Sequence, residues 1–228
     1  MTQLSQLSQL SQLPHLTQLR AAGRGPAAAP SLAGTVARMA PFDQIALRTD
    51  RLLLRPLGDT DARALFAIFS DPRVTRFLSR PPWSAIDSAH ERIAKDTDAL
   101  RTGKYLCLGI EHAASHRLIG ECSLFNLAPQ CRRAELGYTL VFDAWGQGCM
   151  NEALAALLDF GISQLGLNRV EADIDPRNQA STRSLERLGF KLEGHLRERW
   201  IVDAEVSDTG LYGLLAREWR GAAAALRH

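Results

Sequence analysis

The sequence has no long apolar run and little cysteine. No segment approaches the ~20 consecutive apolar residues that a membrane-spanning helix requires, so the chain is predicted to lack a membrane span. Its four cysteines are Cys107, Cys122, Cys131 and Cys149, with no Cys-x-x-Cys pair among them and no secretory segment alongside. These absences predict reduced thiols in a cytoplasmic protein, not a disulfide-stabilised secreted one.

Metal-site patterns are also missing. His90, His112, His116 and His195 show no ligand spacing typical of a zinc site, and a lone histidine is more often a structural or surface residue. We therefore predict no metal cofactor.

Acidic residues are absent from residues 1–42, which contain three arginines. The whole chain has 27 basic and 25 acidic residues, so the remainder holds 24 basic residues against 25 acidic ones. This body, with a net charge of about −1, is not predicted to present a broad surface for nucleic acid.

The first 42 residues also have no pattern that buries one face. Leucines recur every third residue in Ser/Thr-Gln-Leu triplets, and this step drifts around a 3.6-residue helix. Residues 21–41 are rich in alanine, glycine and proline, so residues 1–42 are predicted to be a disordered low-complexity tail. A transit peptide is the alternative for this segment, and Met39 is an alternative start of the protein. Residues 43–228 are predicted to form one domain.

Beyond the tail, apolar periodicity predicts alternating strands and helices. Together they favour a mixed α/β sheet. Strands are predicted at 51–57, 105–111, 117–125, 134–142, 169–174, 191–202 and 206–216, and helices at 59–69, 84–102, 147–165 and 180–188.

A glycine-broken turn joins the strand ending at Phe142 to the next helix. Gly146 and Gly148 allow a sharp turn and close approach of the backbone to a ligand, and the first turn of a helix offers unpaired N–H groups to an anion. A dinucleotide fingerprint would need a third glycine where this chain has Asn151, and the Gly-Lys-Ser/Thr of a Walker loop is absent. By itself the turn therefore predicts an anion site only weakly.

Four motifs in order carry a family resemblance: Glu135-Leu-Gly-Tyr138, Trp145-Gly-Gln-Gly148, Asp175-Pro-Arg-Asn178 and Leu188-Gly-Phe190. Their order and spacing resemble the GNAT acyl-CoA N-acyltransferases, and within them the branch that acetylates N-terminal alanines of ribosomal proteins. The resemblance covers residues 47–219. It implies the GNAT fold: a mixed, mostly antiparallel central sheet with one splayed strand pair and helices on both faces.

The resemblance also implies a site for acetyl-CoA. The glycine turn would bind the pyrophosphate through backbone N–H groups, and an exposed strand edge would pair with the amide-bearing arm. Asn178 is expected to bind an amide of the arm, and its alternative role is to cap the next helix. The thiol of Cys149 is expected to be reactive but not a catalytic nucleophile. The implied coenzyme-binding residues are Leu140, Val141, Phe142, Gly146, Gln147, Gly148, Cys149, Met150, Asn151 and Asn178.

Two catalytic residues follow from the same resemblance. Glu135 matches a glutamate that takes the proton of the attacking amine, and pairing with Arg132 or Arg133 is its alternative role. Many GNAT enzymes place a tyrosine seven residues after the asparagine to assist the leaving thiolate, but this chain has Leu185 there. Ser181 matches a serine proposed for that work, and capping the helix or lining the coenzyme is its alternative role.

The predicted reaction is acetyl transfer to a primary amine, on a protein N-terminus or a small molecule, by direct attack in a ternary complex. Candidates for the acceptor pocket are Phe77, Trp83, Glu198 and Trp200, and the protein is expected to be a monomer or a homodimer. A non-catalytic acyl-CoA-binding regulatory module is the alternative, because the usual tyrosine is missing.

Overall fold

The computed structural model describes Phe42 and residues 44–226. The predicted tail, apart from Phe42, lies outside the described residues, as does Met39. The eight strands form one sheet in the order β1-β2-β3-β4-β5-β6-β8-β7. They are β1 Leu47–Arg48, β2 Leu52–Arg55, β3 Leu106–His112, β4 Arg117–Ala128, β5 Arg133–Leu140, β6 Arg169–Ile174, β7 Lys191–Val202 and β8 Glu205–Leu215.

Within residues 44–226, six α-helices and several short 3₁₀ turns accompany these strands. The helices are α1 Ala62–Ser70, α2 Pro72–Thr75, α3 Asp87–Thr102, α4 Cys149–Ser163, α5 Gln179–Arg187 and α6 Ala222–Ala225.

All seven predicted strands and all four predicted helices are present, with shifted ends, and the additional elements are β1, α2 and α6. Each of these is too short to show an apolar period. Asp71-Pro72 ends α1, as predicted, and also begins α2: the Asp71 side chain accepts a hydrogen bond from the backbone N–H of Arg73 at 2.9 Å, and Pro72 occupies the first helical turn.

The predicted mixed sheet is confirmed. Every neighbouring pair of strands is antiparallel except β5 and β6, which are parallel. The chain passes from β5 to β6 through α4, the crossover that a parallel pair requires.

Helices cover both faces of the sheet, as the side chains of β3 demonstrate. Leu106, Leu108 and Ile110 belong to the main apolar core, which includes much of α4. Cys107 lies between them in sequence and packs with Ala99 of α3. Because successive residues of a strand point to opposite faces, α3 and α4 lie on opposite sides of the sheet.

Phe42, assigned to the tail by prediction, is buried in the main core, and its N–H donates to the carbonyl of Leu100 at 2.8 Å. The packed domain therefore includes residue 42. No helix within residues 44–226 is both long and apolar enough to cross a membrane.

Arg55 joins the β2 strand to two carboxylates. It donates to Asp61 at 2.8 and 2.9 Å and to Glu111 at 2.7 Å. Burial by itself would raise the pKa of Asp61, but the hydrogen bonds from Arg55 and from the Gly58 N–H lower it overall. Hydrogen bonds from Arg55 and then His116 lower the pKa of Glu111.

Arg55→Met is therefore expected to destabilise the fold by about 2 kcal/mol at pH 7 and by much less at pH 3. A carboxyl group with a lowered pKa stabilises the folded state above its unfolded pKa, near 4, and loses this contribution as the pH falls through its folded value. Urea unfolding at both pH values measures the difference, with the exposed Arg48→Met as control. A pH-independent effect of Arg55→Met would contradict this explanation.

Candidate active site

A gap opens between β5 and β6. Their parallel pairing covers only Arg133–Glu135 with Arg169–Glu171. β5 then continues alongside β4 to Leu140, while β6 continues alongside β8 to Ile174. The predicted splay is thus present, and residues 136–140 of β5 have a strand neighbour on one side only.

The three residues predicted at this edge lie where β5 ends. Leu140 is the last strand residue, and its carbonyl accepts a hydrogen bond from the indole Nε1 of Trp145 at 2.8 Å. The N–H of Val141 donates to Ile119 of β4 at 2.8 Å, and Phe142 begins a 3₁₀ turn. The continuous open edge is therefore formed by the residues just before Val141.

The glycine turn has the geometry that an anion site needs. Gly146 and Gly148 have φ values of 73° and 76°, in the left-handed region that favours glycine. Gly148 is the N-cap of α4, and the first backbone bond into the helix is from the Glu152 N–H to the Gly148 carbonyl. In the part of the chain that is described, no side chain caps this turn, so its amides remain available.

Within the turn, Gln147 is exposed and donates to the Asp143 carbonyl at 2.7 Å. The side chains of Cys149 and Met150 are only 2% and 9% exposed and belong to the core. These two residues therefore present their backbone, and not their side chains, to the turn. The Asn151 amide donates to the Ser184 carbonyl at 3.4 Å and connects α4 to α5.

Glu152 fixes the start of α4 against the β1–β2 hairpin. It accepts hydrogen bonds from the Thr49 hydroxyl at 2.6 Å, from the Arg51 N–H at 2.9 Å and from the Arg51 side chain at 2.7 Å. Arg51 also donates to the Gln147 carbonyl at 2.9 Å. Burial opposes ionisation of Glu152, but these donors lower its pKa overall. Sequence reasoning missed this support, whose only local signal is an acidic residue in the first turn of a helix.

Asn178 caps α5, the role considered as its alternative. Its side-chain oxygen accepts a hydrogen bond from the Ser181 N–H at 3.1 Å. The amide nitrogen of Asn178 makes no hydrogen bond to any of the described residues. Capping therefore uses the acceptor of this side chain and leaves its donor available.

Glu135 is the last residue of β5 that pairs with β6, and its side chain is 27% exposed. One carboxylate oxygen lies 3.7 Å from Arg133 Nη1, but Arg133 makes its closer contact with Glu171. Among the described residues, the Glu135 carboxylate accepts no hydrogen bond. The ion pair with Arg133 therefore exists but is loose.

The two predicted catalytic residues approach the gap from opposite faces of the sheet. Ala134 and Leu136 belong to the core that also contains Leu185 of α5, so Glu135 between them points to the other face. Ser181 lies in the first turn of α5. A group bound in the gap would therefore have Glu135 on one side and Ser181 on the other.

The loop between α2 and α3 covers the face to which Glu135 points. The Trp83 ring packs on the Phe69 ring with centroids 4.6 Å apart, and the backbone N–H of Trp83 donates to the Phe69 carbonyl at 2.9 Å. The Arg80 guanidinium lies over both rings, and burial lowers its pKa to about 10. Phe77 lies 5.8 Å from the Arg177 guanidinium, beyond the end of β6. The loop thus reaches from α1 across to the far side of the gap.

The other predicted acceptor residues lie on the β7–β8 hairpin. Trp200 stacks with Arg199 at 5.6 Å, and the Glu198 N–H donates to Asp208 at 2.8 Å. Arg199 also donates to Asp173 of β6 at 3.3 Å, so the hairpin is linked to the edge of the gap.

A buried ionic cluster lies beneath the same face. The Arg92 side chain donates to Asp96 at 2.8 and 2.9 Å, to Glu121 at 3.0 Å and to the Cys107 sulfur at 3.4 Å. The three acceptor groups lie within 4.8 Å of one another, and the guanidinium bonds to all of them. Sequence reasoning missed this cluster, although Arg92 and Asp96 have the i, i+4 spacing of a helical ion pair.

Comparison with known proteins gives consistent matches. Residues 51–191 match the family model described as an acetyltransferase (GNAT) domain. The chain is 35% identical over 169 residues to the uncharacterised N-acetyltransferase YoaA of Bacillus subtilis, covering 74% of this chain and 96% of that protein. It is 28% identical over 185 residues to the [ribosomal protein uS5]-alanine N-acetyltransferase of Escherichia coli, covering 77% and 93%.

Among solved structures, Mycobacterium smegmatis RimJ in complex with CoA-disulfide superimposes with a TM-score of 0.74. It shares 26% sequence identity, and the alignment covers 83% of this chain and 96% of that one.

Proposed function

The chain belongs to the GNAT family of acetyltransferases, and we propose that it transfers the acetyl group of acetyl-CoA to a primary amine by direct attack in a ternary complex. One observation carries the proposal: the open edge of β5 leads into an uncapped helix start through two glycines with positive φ. The amides of Gly146–Asn151 bind the pyrophosphate, and the β5 edge pairs with the amide-bearing arm. Asn178 donates its free amide N–H to a carbonyl of the arm while its oxygen caps α5.

The reaction needs a neutral amine, whereas a free alkyl ammonium is overwhelmingly protonated at pH 7. Glu135 takes a proton from the amine, directly or through one water. The neutral nitrogen then attacks the thioester carbonyl and a C–N bond forms. As the C–S bond breaks, the nitrogen loses its second proton to solvent. Ser181 donates a hydrogen bond to the departing sulfur, and coenzyme A leaves.

The acceptor we propose first is a protein N-terminal amine of the alanine type. The E. coli relative is named for alanine acetylation of ribosomal protein uS5. The aromatic and charged loop around Phe77 and Trp83, together with the β7–β8 hairpin, provides the surface for the residues that follow the amine. A small-molecule amine is the alternative acceptor. Action in the cytoplasm is part of the proposal, and the four cysteines, which form no disulfide with one another, are compatible with it.

A regulatory acyl-CoA-binding module is the second candidate function, and one feature favours it. Leu185 occupies the position where many GNAT enzymes carry a tyrosine, and its side chain is completely buried. Such a module would bind acetyl-CoA with no turnover of any amine.

Calorimetric titration with acetyl-CoA, followed by thiol release with N-terminal alanine peptides and small amines, tests the proposal. We expect binding, and turnover with the peptides. Gly148→Ala should weaken binding at least about tenfold, because alanine resists φ 76° and the backbone amides of the turn would have to shift. Gly166→Ala is the matched control, with φ 68° and open space around the added Cβ, after α4. Binding without turnover would favour the regulatory module, and no binding would refute the coenzyme site.

A further inference from the structure

Two buried side-chain polar atoms within the described residues have no hydrogen-bond partner, the hydroxyls of Tyr138 and Thr209. An unsatisfied buried hydroxyl destabilises a fold by about 1–3 kcal/mol. In native structures such a group is exceptional and has a specific reason to be there. Tyr138 lies in β5, inside the segment that has lost its pairing with β6.

The Tyr138 ring points to the face of the sheet that α5 covers. It packs on the core formed in part by Leu136 and Leu140 of its own strand and by Leu185 of α5. Burial raises the pKa of Tyr138 to about 12, and a hydrogen-bond interaction with the Ser181 side chain acts in the opposite direction. The two hydroxyls are thus neighbours, although the Tyr138 hydroxyl makes no hydrogen bond of good geometry.

The position of Tyr138 is relevant to the absence of a tyrosine at residue 185. α5 offers no phenol at residue 185, where the leucine is fully buried. β5 instead supplies a phenol from across the gap, beside the serine in the first turn of α5. A pair of hydroxyl groups can therefore form at the gap, one from β5 and one from α5.

We propose that the Tyr138 hydroxyl is a positioning group that donates to Ser181 Oγ and thereby directs the Ser181 O–H at the leaving sulfur of acetyl-CoA. This inference rests on the proposed acetyl transfer and deepens it. Tyr138 acts through Ser181, and its buried position keeps the phenol protonated, so it serves as a donor throughout.

The Ser181 hydroxyl donates a hydrogen bond to the sulfur, and neither hydroxyl transfers its proton. As the C–S bond breaks, the electron pair goes to sulfur, and the thiolate is stabilised by the Ser181 O–H. The ammonium loses one proton to Glu135 and a second to solvent, and the released thiolate takes up a proton from solvent. Charge-assisted hydrogen bonds of this kind are about twice as strong as neutral ones, and Tyr138 strengthens the bond by polarising Ser181.

The thiol pKa of bound coenzyme A tests the proposal without any acceptor. It is measured from thiolate absorbance against pH, with the S-methyl coenzyme A complex as blank. A donor at the sulfur lowers this pKa, so Tyr138→Phe and Ser181→Ala should each raise it by about one unit. The double variant should equal either single one. Tyr105→Phe is the control, a buried phenol that donates to Asp96 on the other face of the sheet, and should leave the value unchanged.

Kinetics with an accepted amine give the second measurement. Tyr138→Phe should lower kcat about tenfold while the affinity for acetyl-CoA changes less than about twofold. An unchanged thiol pKa in Tyr138→Phe, or a large loss of coenzyme affinity in that variant, would overturn the role of Tyr138. Failure of the unmodified protein to bind acetyl-CoA would instead refute the proposed function, and with it this inference.

Discussion

Glu135→Gln is expected to lower kcat by at least about a hundredfold while acetyl-CoA binds with unchanged affinity. The glutamine preserves the size of the side chain and its place at the end of the β5–β6 pairing, but it cannot accept a proton. Steady-state thiol release and calorimetric titration on the same preparation measure the two quantities.

The loose ion pair with Arg133 supplies the control for this experiment. If Glu135 acts only by holding Arg133, 3.7 Å away, then Arg133→Met should reproduce the loss. We expect Arg133→Met to retain most of the activity, because Arg133 makes its closer contact with Glu171. Full turnover in Glu135→Gln would show that the carboxylate is structural and that the base assignment is wrong.

Arg92→Met is expected to destabilise the protein by about 3–5 kcal/mol, a large part of the stability of an ordinary domain. The substitution removes the cation that bridges Asp96 and Glu121, which are 2% and 6% exposed. Two buried carboxylates would then lose the cation they share, and Asp96 would keep the hydrogen bond from the Tyr105 hydroxyl at 2.7 Å. The midpoint and slope of urea unfolding measure the loss.

An exposed ion pair on the same helix is the control. Arg101 pairs with Asp98 at 2.7 Å, and both side chains are about two-thirds exposed. Arg101→Met should therefore change stability by less than about 0.5 kcal/mol. Adding Asp96→Asn and Glu121→Gln to Arg92→Met should recover part of the stability, because the unpaired charges disappear. An effect of Arg92→Met as small as that of Arg101→Met would refute the assigned role of the cluster.

The local chemistry of the glycine turn was predictable because backbone conformation there depends on residue type. Gly146 and Gly148 adopt the positive φ values that only glycine tolerates easily, and the helix begins at Cys149. The short helix α2 escaped prediction because four residues cannot display a period, although Asp71-Pro72 is a typical helix start.

Long-range partners were less accessible to sequence reasoning. The contact of Glu152 with Arg51 joins residues 101 positions apart, and no local pattern specifies it. For Asn178 the sequence indicated two roles, helix capping and coenzyme binding, and could not decide between them. One amide can cap a helix with its oxygen and bind a ligand with its nitrogen. The Tyr138 hydroxyl became informative only when the fold showed that it is buried and unpaired.

The brief parallel pairing of β5 and β6 has a mechanical consequence. Only three residues of each strand join the β1–β5 part of the sheet to the β6–β8 part. Few hydrogen bonds therefore connect β5 to β6. A bound coenzyme arm would pair with the open edge of β5 as an additional strand. Saturation with acetyl-CoA would then hold the two parts of the sheet together and raise the stability of the protein against unfolding. The co-substrate would thus also be a structural component while it is bound.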